Sequence, residues 1–125
     1  MKNYYLIIAV LILAACGTAS SVVQSVFDDT YGYSEKNPIN VGEHSPRNSV
    51  NYLRSLRGPD GEEVSFDRVG SCCHFKTKNA LFGDMGLLDK YWVTYEGKKD
   101  TVYLYLNIYD KSELGTPKGF TRVKQ

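Results

Sequence analysis

In Thr101-Val102-Tyr103-Leu104-Tyr105-Leu106-Asn107-Ile108-Tyr109 two kinds of side chain take turns, and that alternation points to a sheet. Successive side chains of an extended strand point to opposite faces. Val102, Leu104, Leu106 and Ile108 therefore share one side, and Tyr103, Tyr105, Asn107 and Tyr109 share the other. Just upstream, Tyr91-Trp92-Val93-Thr94-Tyr95 is built from aromatic and β-branched residues that suit a pleated surface. Glu96-Gly97-Lys98-Lys99 lies between the two runs. Two such runs joined by a polar link containing glycine predict an antiparallel hairpin.

Toward the N-terminus, Glu62–Cys72 alternates more loosely, with Val64, Phe66 and Val69 among polar neighbours. It predicts a third strand, bulged near Gly70. Lys76 to Gly86 has no such pattern and reads as a loop. Pro59-Asp60-Gly61 is a turn. Before it lies the clearest helix: Ser45 can cap, Pro46 suits the first position, and Gly58-Pro59 ends the segment. At about 100° per residue, Val50, Tyr52, Leu53 and Leu56 fall on one arc, with Arg47, Asn51 and Arg54 on the other. The arginines, Arg57 included, read as a solvated face rather than an anion site. Tyr31 to Val41, with Gly32 and Pro38, is extended or turning, and Gly119–Val123 adds a short edge strand. The fold class expected is α+β: a twisted antiparallel sheet of three or four strands with one amphipathic helix on its apolar face. Residues 31–125 form a single globular domain.

The chain opens differently. Lys2 precedes the apolar run Leu6-Ile7-Ile8-Ala9-Val10-Leu11-Ile12-Leu13, followed by Ala14, Ala15 and Cys16. A positive start, a short apolar core and small residues at the cut are the marks of a secretory signal. The run falls short of the ~20 residues of a spanning helix. Leu13-Ala14-Ala15-Cys16 resembles the lipobox of bacterial lipoproteins. That resemblance implies a signal peptide over 1–15 and acylation of Cys16, with 16–30 as lipidated N-terminus and linker. Two or three acyl chains at ~0.8 kcal/mol per buried methylene hold far more firmly than one. Gly17, rather than an aspartate, favours the outer membrane of the cell envelope.

Of 125 residues, removing 15 leaves 110, and removing Lys2 from 15 basic residues leaves 14 against 14 acidic ones. A neutral domain lacks the electrostatic footprint of a nucleic-acid binder. With Cys16 committed to lipid, Cys72 and Cys73 remain, and they are neighbours. Outside the cytoplasm they have three options: buried thiols, a bond to each other, or a bond to another molecule.

Cys72-Cys73-His74 contains metal-ligand chemistry, but structural zinc takes four ligands, usually as spaced pairs. Thiol redox sites usually place C-x-x-C at a helix start, which this segment lacks. A vicinal disulfide or thiol pair is the plainer reading, and neither a metal nor a cofactor is implied. The second candidate is the tyrosine side of the hairpin. Tyr103, Tyr105 and Tyr109, with Trp92 across the hairpin, form an aromatic binding face unless the 76–86 loop or the N-terminal segment covers them as core. Asp28-Asp29 and Glu62-Glu63 are adjacent pairs that need not converge as glycosidase carboxylates must. There is no G-x-S-x-G, H-E-x-x-H or Walker-type loop.

Gly32-Tyr33-Ser34-Glu35-Lys36-Asn37-Pro38-Ile39, Leu53-Arg54-Ser55-Leu56-Arg57-Gly58-Pro59-Asp60-Gly61 and Gly70-Ser71-Cys72-Cys73-His74-Phe75-Lys76-Thr77 resemble segments of small lipoproteins of Bacteroidetes-type bacteria. Gly86-Leu87-Leu88-Asp89 and the hairpin around Tyr95 extend the resemblance over about residues 31–120. His74 stands where proline would be expected. The resemblance implies an envelope lipoprotein without an assigned reaction. Some such proteins carry names borrowed from sugar-acid phosphate aldolases, but 110 residues cannot supply the eight βα units of that barrel.

The sequence thus leads to a lipid-anchored, non-enzymatic envelope protein that binds a protein or glycan partner through the aromatic sheet face. A thiol-based redox or stress protein using Cys72 and Cys73 is the alternative.

Overall fold

The computed structural model describes residues 28–124. Residues 1–27, which hold the expected signal peptide, Cys16 and most of the expected linker, lie outside the described residues. In chain order the elements are β1 (Ile39–Asn40), α1 (Pro46–Ser55), β2 (Leu56–Arg57), β3 (Val64–Lys76), β4 (Met85–Tyr95), β5 (Val102–Asn107) and β6 (Thr121–Arg122). The architecture is α+β, with one helix against a four-stranded sheet ordered β1-β5-β4-β3.

The hairpin is β4–β5, antiparallel, with Tyr91 opposite Leu104 and Trp92 opposite Tyr103. β3 pairs antiparallel with β4 and runs four residues beyond the expected Cys72. Its ladder slips between Arg68 and Gly70, where the bulge was expected, and again between Cys72 and His74. The sheet is mixed rather than wholly antiparallel, because β1 runs parallel to β5, with Ile39 opposite Leu106 and Asn40 opposite Asn107. Two residues are too few to show a period, and α1 with β2 to β4 supplies the long return that a parallel pair requires. The C-terminal strand also differs. β6 does not edge the main sheet but pairs antiparallel with β2 as a separate ribbon.

Ser45 caps α1 by accepting from the Asn48 amide, and Pro46 opens it. The helix stops at Ser55 rather than at Gly58, because Leu56 turns extended and enters β2. Its buried side is Ser49, Tyr52, Leu53 and Ser55; Val50 is only half-buried. Tyr52, Leu53 and Leu56 meet Ile39, Tyr91, Val93, Leu104 and Leu106 in one core between helix and sheet. Leu53, Leu104 and Leu106 are fully buried, worth roughly 1.5–3 kcal/mol each.

The C-terminal segment closes the far side. The Tyr52 hydroxyl donates to the Gly115 carbonyl (2.7 Å), and the Gly115 amide donates to the Tyr31 hydroxyl (3.0 Å). Burial pushes the Tyr52 phenol well above its ordinary range. Gly42 lets β1 meet the residues after β5. It has φ +71°, and a Cβ there would lie 2.7 Å from that of Lys111. Asp28, Asp29 and Thr30, placed by the sequence in the linker, are bonded into the domain. Asp28 accepts from the Thr30 amide and the Asn37 side chain, and Asp29 pairs with Lys118 at 3.1 Å. No helix among the described residues is long and apolar enough to cross a membrane.

Candidate functional site: the sheet face away from the helix

Alternation along β4 and β5 sends Tyr91, Val93, Leu104 and Leu106 to the core, and Lys90, Trp92, Tyr103 and Tyr105 to the opposite face. On that face Trp92 stands opposite Tyr103, and Lys90 opposite Tyr105. The Lys90 ammonium lies 4.5 Å from the Tyr103 ring centroid and 5.7 Å from that of Tyr105. A cation over a ring face is held by the ring quadrupole, so Lys90 splints the two tyrosines. Tyr103 is 48% exposed. Trp92 and Tyr105 are half-buried, and none of the three rings belongs to the buried core.

Tyr109, expected on the same strip, is set apart from it. β5 ends at Asn107, whose side-chain oxygen accepts from the amides of Tyr109 (2.8 Å) and Asp110 (3.2 Å). An asparagine side chain that mimics a turn in this way diverts the backbone from the ladder. The Tyr109 ring then packs edge-on against His44 and Phe75, with centroids 5.5 and 5.8 Å away. Beneath Phe75 and Tyr109 lies Gly86, where a Cβ would come within 3.0 Å of both rings. Tyr109 thus helps to close the end of the sheet.

Where the aromatic strip stops, a cleft of about 530 Å³ begins, lined by Glu35, Lys36 and Pro38 on one side and by Cys73, His74 and Phe75 on the other, with Asn40, Leu88, Asn107 and Asp110 between them. Its floor is a polar network that sequence reasoning missed. Asn107 is 2% exposed and donates to Asn40 (2.9 Å) and to the Asp110 carboxylate (2.9 Å). Asp110 also accepts from the Thr77 hydroxyl (2.7 Å) and the Asn79 amide group (2.9 Å). Burial works to raise the Asp110 carboxyl, but the hydrogen bonds from Asn107, Thr77 and Asn79 outweigh it and hold it below its ordinary value. The one visible signal was Asn107 itself, a polar residue interrupting the apolar and aromatic alternation of β5.

Cys72 and Cys73 are bonded to each other, with Cα atoms 3.7 Å apart. Of the three options open to the thiols, the structure takes the vicinal disulfide. Cys73 has φ +58°, in the left-handed region that non-glycine residues seldom occupy, at the second slip of the ladder. Both residues are half-buried. Cys72 stands opposite fully buried Leu88, while Cys73 lines the cleft. Among the described residues no group of three or more His, Cys, Asp or Glu side chains gathers to hold a metal ion.

A second hollow of about 320 Å³ lies between α1 and the C-terminal segment, lined among others by Glu43, Asn48, Lys111 and Arg122. Its polar groups serve the fold. Glu43 pairs with Lys111 at 2.8 Å, Asn48 donates to the Val41 and Gly42 carbonyls, and Arg122 donates to the Leu114 carbonyl. The aromatic strip with its adjoining cleft is therefore the candidate site. Comparison with protein-family models, with curated proteins and with solved structures finds no match.

Proposed function

We propose that this is a lipid-anchored protein of the bacterial cell envelope that binds a glycan on the Trp92–Tyr103–Tyr105 face. One observation carries the reading. Three aromatic rings, of which Lys90 braces the two tyrosines, lie outside the core on the sheet face away from the helix. Flat rings with a polar edge suit the apolar C–H faces and hydroxyl rims of sugar rings, and the adjoining cleft extends the surface along a chain. Acylation of Cys16 would raise the local concentration of the domain over the envelope polymer, so that modest affinity per sugar suffices.

The test has two arms. Processing of the chain is expected to stop in cells treated with globomycin, and the mature protein to carry acyl mass. The same protein is expected to be retained by insoluble envelope polysaccharide and released by soluble fragments of it. Normal processing under globomycin removes the anchor. Failure of the polysaccharide to retain the folded protein, with an envelope protein cross-linking to Tyr103 instead, replaces the glycan with a protein partner.

The Cys72–Cys73 bond on the cleft wall favours a second reading, a thiol-based redox or stress protein. An envelope dithiol would transfer two electrons and two protons, breaking the S–S bond to give two thiols while closing to its own disulfide. Mild dithiol treatment of the folded protein, followed by alkylation and intact-mass measurement, is the discriminating experiment. Under the redox reading both cysteines become alkylated; under the glycan reading the bond is a fixed part of the cleft, and neither does.

A further inference from the structure

The most exposed apolar side chains among the described residues are not on the aromatic face. They lie at the tip joining β3 to β4, where Phe82 is 89% and Leu81 67% exposed, with Met85 and Leu87 beside them also exposed. The tip is held in place from below. Thr77 and Asn79 are hydrogen-bonded to Asp110, the Thr77 amide donates to the Asp84 carbonyl (2.8 Å), and the His44 ring bonds the Asn79 carbonyl. Gly83, at φ +63° with open space around it, completes the turn. This network fixes the base of the loop while leaving Leu81 and Phe82 facing solvent, an arrangement that is unfavourable in water alone.

We infer that this tip is a membrane contact: Leu81 and Phe82 enter the acyl boundary of an anionic bilayer, and Lys76 and Lys78 meet its headgroups. The inference rests on the lipoprotein reading for its geometry. Residues 17–27 separate Cys16 from the described domain, a span that reaches up to about 40 Å when extended, so anchor and tip can occupy one surface. Charge agrees. Lys76 and Lys78 flank the tip on its N-terminal side, both exposed, against the single acid Asp84, which lies 3.9 Å from Lys76. Shape separates a bilayer from a protein partner. A stable protein interface takes roughly 800 Å² from each side, whereas two projecting side chains on a turn present a point. A bilayer accepts a point without matching its outline, and the tether makes weak insertion sufficient.

The test uses the full chain, processed in cells and reconstituted into vesicles of phosphatidylethanolamine and phosphatidylglycerol. Trp92 is the only tryptophan, so Trp92→Phe combined with Phe82→Trp moves the reporter to the tip. Phe82 is so exposed that its exchange leaves the packing intact, which circular dichroism checks. With brominated lipids, emission from position 82 is expected to shift blue and fall by roughly half or more, against about a tenth or less for Trp92 in the parent. Vesicle-bound, acylated protein whose position 82 stays unquenched overturns the inference and leaves the anchor standing. Quenching in protein that carries no acyl mass sinks the anchor and leaves the tip contact standing. A blue shift that grows with protein concentration in lipid-free buffer assigns the tip to self-association and also overturns the inference.

Discussion

Exchange of Asn107 for leucine, which keeps the branched four-heavy-atom side chain but removes its polar atoms, is expected to lower the stability of the domain by about 3–5 kcal/mol. Asn107 makes four hydrogen bonds from a position 2% exposed to solvent. Leucine replaces none of them. The Asn40 side chain, one Asp110 carboxylate oxygen and the amides of Tyr109 and Asp110 all lose a partner, and an unsatisfied buried group costs roughly 1–3 kcal/mol. Urea unfolding should show the midpoint falling while the slope stays constant. A loss below about 1 kcal/mol would mean that water replaces the network and that the floor of the cleft is not fixed by it.

Asp110 extends this prediction to pH. Its carboxyl sits below the ordinary value of 3.8 in the folded protein, since the hydrogen bonds it accepts outweigh burial. A group lowered on folding contributes stability above its unfolded value and loses it as pH falls through the folded one. The native domain should therefore weaken below about pH 4, and Asn107→Leu should blunt that dependence.

The second large effect concerns binding rather than folding. Alanine at Trp92 and at Tyr103 is expected to reduce glycan affinity by about 30-fold or more at each position, the magnitude of an aromatic hot spot. The fold should tolerate both. Tyr103 is 48% exposed, and neither ring belongs to the core. Destabilisation of roughly 1 kcal/mol or less is expected for Tyr103→Ala, and somewhat more for half-buried Trp92. Lys90→Ala should act more weakly, by about 0.5–1 kcal/mol, because it removes only the cation bracing the rings. Circular dichroism and urea midpoints separate lost affinity from lost structure.

Much of the fold was legible because its signals are local. The hairpin announced itself through alternation, α1 through its serine cap and first-turn proline, and the bulge of β3 through Gly70. β1 and β6 were not legible as placed. Each has two residues, too few for a period, and each finds its partner across most of the chain: Ile39 beside Leu106, Arg122 beside Leu56. The site divides in the same way. Once β4 and β5 pair, alternation alone sets Trp92 against Tyr103. Lys90 carried no mark distinguishing it from other surface lysines until the register put it over two rings. Tyr109 has the parity of Tyr103 and Tyr105, but the Asn107 turn takes it off the strand, and its ring packs on Phe75 over Gly86 instead of continuing the strip. The network around Asp110 draws on Asn40, Thr77 and Asn79, which no sequence window contains together.

Trp92 is the only tryptophan of the chain, and it stands on the proposed binding face, so its own fluorescence reports on glycan binding there. Titrating the folded protein with soluble fragments of the envelope glycan should give a saturable change in Trp92 emission, which Tyr103→Ala abolishes at the same concentrations. An emission spectrum indifferent to a glycan that the protein demonstrably retains would place binding elsewhere on the molecule and contradict the account.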